Sequence, residues 1–124
     1  DPREWLRRAF SNLAQARRRD PAVCLEDLCF QAQQAAEKAL KGRLLAMGID
    51  PPHTHDLNLL LRLIEKAGDR VPDDVRRVVR LKDYAVETRY PGGFEPVDEE
   101  EYRESLGMAT RCVEWVQMRL AEPR

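Results

Sequence analysis

The stretch CFQAQQAAEKALKGRLLAMGI, residues 29–49, decides the fold. Its apolar residues do not alternate as they would in a strand. With Leu25 and Leu28 just upstream, Ala32, Ala35, Ala36, Ala39, Leu40 and Leu44 recur at spacings of three and four, the period of one helix face. A helix is therefore expected from about Val23 to Met47, with Gly48 placed to cap its C-terminus. The alanines along its middle allow a neighbouring helix to approach closely.

The same period runs outward in both directions. Upstream, Trp5, Leu6, Ala9, Leu13 and Ala16 follow Pro2, a residue suited to a first helical turn. That first helix is expected to end in residues 17–21, because Pro21 disfavours helical geometry at Asp20. Downstream, Pro51 and Pro52 mark a loop, and a third helix is expected from Asp56 or Leu57 to about Ala67, ended by Gly68. A fourth is expected to start at Pro72-Asp73-Asp74 and run through Val75, Val78, Val79, Ala85 and Val86 to about Arg89. The last opens in the acidic run and presents Tyr102, Leu106, Ala109, Val113, Val116 and Leu120 as a packing seam. The expectation is an all-α single domain over residues 1–124. Its short connections favour an antiparallel up-and-down bundle of four long helices plus a shorter one.

Bulk properties narrow the function classes. A net charge of −1 gives no global basic field to draw the chain to nucleic acid or membrane. Charge is nevertheless uneven. In residues 1–19 six arginines face Asp1 and Glu4, and in residues 95–104 six acids face only Arg103. The three cysteines, Cys24, Cys29 and Cys112, include no C-x-x-C, which fits reduced thiols in a cytoplasmic protein. No apolar run reaches the roughly 18–20 residues of a membrane span, and no signal peptide is visible.

Three segments carry candidate chemistry. In PPHTHDL, residues 51–57, His53 and His55 are read first as cap-region residues beside Thr54 and Asp56, with a ligand or catalytic role as the alternative. No further motif completes a metal site, and no cofactor is implied. On the long helix, Gln34, Lys38 and Lys41 share a face, and Glu37–Lys41 forms an i, i+4 pair worth tenths of a kcal/mol at a surface. That face is either solvated, interhelical or a binding groove. In ETRYPGGFEP, residues 87–96, Arg89 and Tyr90 precede Gly92-Gly93. The segment is an ordinary helix stop, or it is a phosphate site in which glycine permits close approach to the arginine.

Taken in order, Trp5 with its polar-alanine helix, residues 29–49, THDL at 54–57 and TRYP at 88–91 resemble the HEPN family (higher eukaryotes and prokaryotes nucleotide-binding domain). The resemblance implies a four-to-five-helix bundle and a homodimer with a cleft between protomers. It implies pairing with a minimal nucleotidyltransferase in a toxin–antitoxin-type module, and a nucleotide or RNA ligand. Many members resemble metal-free ribonucleases built on Arg, four to six residues, then His, the histidine moving protons and the arginine stabilising the phosphate. Arg89 matches that arginine, but positions 94–96 hold Phe94, Glu95 and Pro96. The expectation is thus a binding protein using Arg89, Tyr90, Gln34, Lys38 and Lys41. Catalysis, as a metal-independent ribonuclease toxin, is left to a version in which His55 substitutes for the missing histidine beside Arg89, and the remaining alternative is a purely structural dimerisation or docking module.

Overall fold

A computed structural model of the chain describes residues 1–85 and 96–122. All regular structure among them is helical: α1 (Pro2–Arg17), α2 (Leu25–Ala46), α3 (Leu57–Lys66), α4 (Asp73–Arg76), which continues as a 3-10 helix (Arg77–Tyr84), and α5 (Glu99–Ala121). The result is a helical bundle, as the periodicity requires.

Local chemistry sets the helix ends. Asp1, Asp56 and Asp98 cap α1, α3 and α5, each accepting a backbone N–H of the first turn. Gly48 and Gly68 follow α2 and α3 with φ of 82° and 102°, a left-handed conformation that costs glycine little. After each, the next amide closes onto the helix, Ile49 N–H to Leu44 O and Asp69 N–H to Ile64 O. The long helix begins two residues later than Val23. Asp20 accepts the Ala22 amide at 2.8 Å and holds residues 20–23 in a turn, leaving Val23 exposed.

The core is formed by Ala9, Leu13 and Ala16 of α1, the alanine–leucine face of α2, Leu57, Leu60, Leu61 and Ile64 of α3, and Ala109, Val113 and Val116 of α5. α1 runs antiparallel to α2, since Asn12 meets Gln31 at one end while Trp5 meets Gly42 at the other. It also runs antiparallel to α5. There Tyr102 Oη donates to Ala16 O at 2.6 Å, and Arg19 pairs with Glu99 while lying 5.0 Å from the Tyr102 ring centroid. The basic end of α1 and the acidic start of α5 thus neutralise each other in part. At the opposite end, half-buried Asp69 joins Arg43 of α2 at 2.8 Å to Arg119 of α5 at 3.2 Å.

The fourth segment departs from the expected α-helix. Only Asp73–Arg76 is α-helical, and a 3-10 helix follows. The buried residues are Val75 of α4 and Val78, Leu81 and Tyr84 of the 3-10 helix, a strict spacing of three, whereas Val79 is only half-buried. A 3-10 helix turns once per three residues, so this spacing keeps Val78, Leu81 and Tyr84 on one line. The expected continuation from Val86 to Arg89 lies outside the described residues.

Candidate functional site

The sequence of α2 places polar residues inside its apolar face. Gln33, Glu37 and Lys41 follow at intervals of four, so they stack along one side of the helix. All three are buried. A carboxylate and an ammonium removed from water are tolerated only when paired and hydrogen-bonded. Both are paired here. One oxygen of Glu37 lies 3.1 Å from Lys41 Nζ. The other lies 2.8 Å from His55 Nδ1 and accepts from Gln33 Nε2 at 3.3 Å. Gln33 Nε2 is also 3.4 Å from the His55 carbonyl, and its own Oε1 accepts from Gln34 Nε2 at 2.8 Å. The side chains of Gln33, Lys41 and His55 therefore converge on one carboxylate.

The His55 side chain is 66% exposed, while that of Glu37 is 5% exposed. With Nδ1 held by the carboxylate, the ring presents Nε2 outward, and the neutral tautomer assigned by this contact carries its proton on Nδ1. Asp56 N-caps α3 and Thr54 accepts the Asp56 amide at 3.1 Å, so the cap reading of this loop holds for those residues.

Beside this array, Lys38 Nζ donates to Asn12 Oδ1 at 2.8 Å, and Asn12 Nδ2 donates to Gln31 Oε1 at 2.6 Å. Lys38 has a neutral partner where Lys41 has a carboxylate. Burial pushes its ammonium below the usual lysine range, and Arg8 and Lys41 push the same way against the pull of Glu37. Lys38 forms, with Asp1, Glu4, Trp5 and Arg8, the wall of an open hollow of about 450 Å³. Lys41 Nζ lies 5.9 Å from the Trp5 ring centroid. Glu4 is held by Arg7 and Arg8, and those hydrogen bonds keep its carboxyl down at about 2. Close approach of the two helices depends on Gly42. A Cβ there would fall 2.9 Å from Trp5 Cβ and 3.2 Å from Pro2 O.

The hollow sets an aromatic ring beside two cations, Arg8 and Lys38, and two carboxylates, Asp1 and Glu4, of which Glu4 engages Arg8. Bases stack on such rings and phosphates pair with such cations.

A HEPN domain model matches residues 2–119, nearly the whole chain. The chain belongs to the HEPN family. Two solved structures share its architecture. TT1696 from Thermus thermophilus is 33% identical, with a TM-score of 0.78 and coverage of 95% of this chain and 97% of that one. ST0689, described as an archaeal HEPN homologue, is 27% identical, with a TM-score of 0.76 and coverage of 95% and 96%. A search of curated protein sequences finds no match.

Of the residues singled out in this HEPN chain by sequence, Lys41 and His55 meet Glu37 directly, Gln34 joins the array through Gln33, and Lys38 turns away to Asn12. Arg89 and Tyr90 lie outside the described residues. The Glu37–Lys41 pair is correct as a pair, but it is a buried one. Glu37 as the hub, and Trp5 and Arg8 as walls of the hollow, were not anticipated. The available signal was the alternation of Gln33, Glu37 and Lys41 with Ala36 and Leu40, which puts the polar line against the core. Among the described residues no group of three or more His, Cys, Asp or Glu can hold a metal. No helix among them is long and apolar enough to cross a membrane.

Proposed function

We propose that this HEPN protein binds a nucleotide or nucleic acid through the face where α1 meets α2. In this reading Lys38 contacts phosphate there, Trp5 stacks on a base, and Gln34 and Lys41 line the rim; Arg89 and Tyr90, binding residues expected from the sequence, supply a further cation and a further ring. The observation that carries it is the hollow in which Trp5 stands beside Arg8 and Lys38, the latter hydrogen-bonded, among the described residues, only to a neutral amide. The protein works in the cytoplasm as a homodimer beside a minimal nucleotidyltransferase, in a toxin–antitoxin-type module. Phe94, Glu95 and Pro96 at the positions of the family histidine support binding without cleavage.

The test is fluorescence anisotropy with labelled nucleotides, RNA and DNA. Wild type is expected to bind at least one of them, and Lys38→Ala and Arg89→Ala are expected to weaken binding more than Arg18→Ala does. Absence of binding to all three removes the proposal. Light scattering that gives a monomer at working concentration removes the dimer.

A second reading has its own support. A histidine held by a buried carboxylate at 2.8 Å, with its other nitrogen outward, has the arrangement of a general acid–base group. His55 then serves with Arg89 in a metal-independent ribonuclease. Cleavage of mixed RNA in chelator, lost in the His53/His55 double alanine variant, is expected in that case alone. Cleavage that persists in the double variant excludes it.

A further inference from the structure

A second basic feature lies on different elements, between the 3-10 helix and α5. Arg77, Arg80 and Arg111 line an open groove of about 270 Å³ with Asp74, Glu104, Gly107 and Met108. Two facts mark it out from an ordinary solvated surface. Arg77 and Arg80 are three apart in a 3-10 helix, where residues i and i+3 eclipse. Their side chains therefore rise from one line about 6 Å apart, at about 2 Å of rise per residue. Two like charges in register repel, yet neither makes an ion pair or a side-chain hydrogen bond among the described residues. Arg111 is already committed to Asp74 at 2.6 Å.

The second fact is Gly107. It stands in the interior of the 23-residue α5, where glycine is a poor helix former. At Gly42 a tight helix contact explains the missing side chain, but a Cβ at Gly107 would meet nothing within 4 Å. The fold does not require glycine there. What glycine does at this position is deepen the groove beside the eclipsed arginines.

We propose that this groove takes the phosphodiester backbone of a nucleic-acid strand. The inference rests on the nucleic-acid reading above and extends it to a second contact surface. Two guanidiniums in register match successive phosphates of one strand, and the Gly107 dent receives the sugar–phosphate chain between them. Glu104, on the groove wall, opposes this ligand.

The test is anisotropy of a labelled 20-nucleotide single-stranded RNA at several salt concentrations. Arg77→Ala/Arg80→Ala is expected to weaken binding at least tenfold and to flatten the slope of log K against log salt by about 1.4, at about 0.7 per phosphate contact. Gly107→Leu is expected to weaken binding with the thermal midpoint maintained, and Glu104→Gln to tighten it. Tightening cannot come from misfolding. The charge-matched control Arg18→Ala/Arg62→Ala is expected to leave both quantities near wild type. Groove variants that bind RNA like wild type, or a control pair that loses as much, overturn the groove and leave the nucleic-acid reading intact. Wild type that binds no RNA overturns both. Displacement of RNA by polyglutamate at equal charge concentration would assign the groove to an acidic peptide instead.

Discussion

The Glu37 carboxylate, 5% exposed, meets Nδ1 of the largely exposed His55 at 2.8 Å. A buried charge is thereby tied to the surface through one ring. Its other oxygen holds the Lys41 ammonium, so the protein's polar face is anchored on α2.

The first prediction concerns that anchor. Glu37→Ala leaves Lys41, 10% exposed, as an unpaired buried cation, and should cost about 3–5 kcal/mol in urea unfolding. Glu37→Leu/Lys41→Met removes both charges and should recover most of that loss. His55→Ala, at an exposed ring, should cost about 1 kcal/mol. Equal losses for the single and double charge variants would contradict a desolvated pair.

The 3-10 geometry gives a second. Leu81→Ala should cost about 2–5 kcal/mol, because Leu81 is fully buried, while Val79→Ala should cost about 1 kcal/mol or less. An α-helical continuation would reduce this contrast, so similar losses at the two positions would contradict the observed register.

Gly42 and Gly107 give opposite signs for the same substitution. Gly107→Ala should stabilise by about 0.5–1 kcal/mol, the helix-propensity difference, since its Cβ meets open space. Gly42→Ala gains the same propensity but must move Trp5 or Pro2, and should destabilise by about 1–3 kcal/mol. Thermal unfolding of the two variants checks this. Stabilisation by both would mean that α1 and α2 pack less tightly at Gly42.

The sequence made the bundle legible because helix periodicity survives in every long segment. Ala32, Ala36, Ala39, Leu40 and Leu44 report their face by spacing alone, and Asp56, Gly48 and Gly68 report their ends by chemistry. The 3-10 segment was less legible. Val75, Val78 and Val79 fit an α-helix locally, and only Leu81 and Tyr84 complete the period of three. At the candidate site, Lys38, Lys41 and His55 were visible as residue types. The Glu37–Lys41 pair was legible as an i, i+4 spacing, but His55 reaches Glu37 only through the way loop 51–56 returns to α2, a tertiary relation that no local pattern encodes.

Ion pairs set a pH response. Hydrogen bonds from arginine hold Glu4 at about 2 and hold Glu65 and Asp74 below their ordinary values. Because the folded values are depressed, their stabilisation is present above the unfolded range near 4 and is lost as pH falls through the folded values. The acid limb should be shallow and flattened further by salt, since these groups are exposed. At the other end, burial pushes the Cys112 thiol up to about 12. Its contribution is present below the unfolded value near 9 and is lost as pH rises towards 12. Urea midpoints across pH 2–11 should show both limbs. Alkylation at pH 8 should label exposed Cys24 well before buried Cys29 and Cys112.

The most direct test of the proposed site uses Trp5 as its reporter. In a Trp115→Phe protein, Trp5 is the remaining tryptophan, so emission reports the α1–α2 hollow alone. Titration with the nucleotide or RNA that binds should quench this emission to saturation, with the midpoint raised about tenfold by Lys38→Ala, the loss of one charge-assisted contact. Emission that stays constant while anisotropy shows the ligand bound would contradict a site at Trp5 and Lys38.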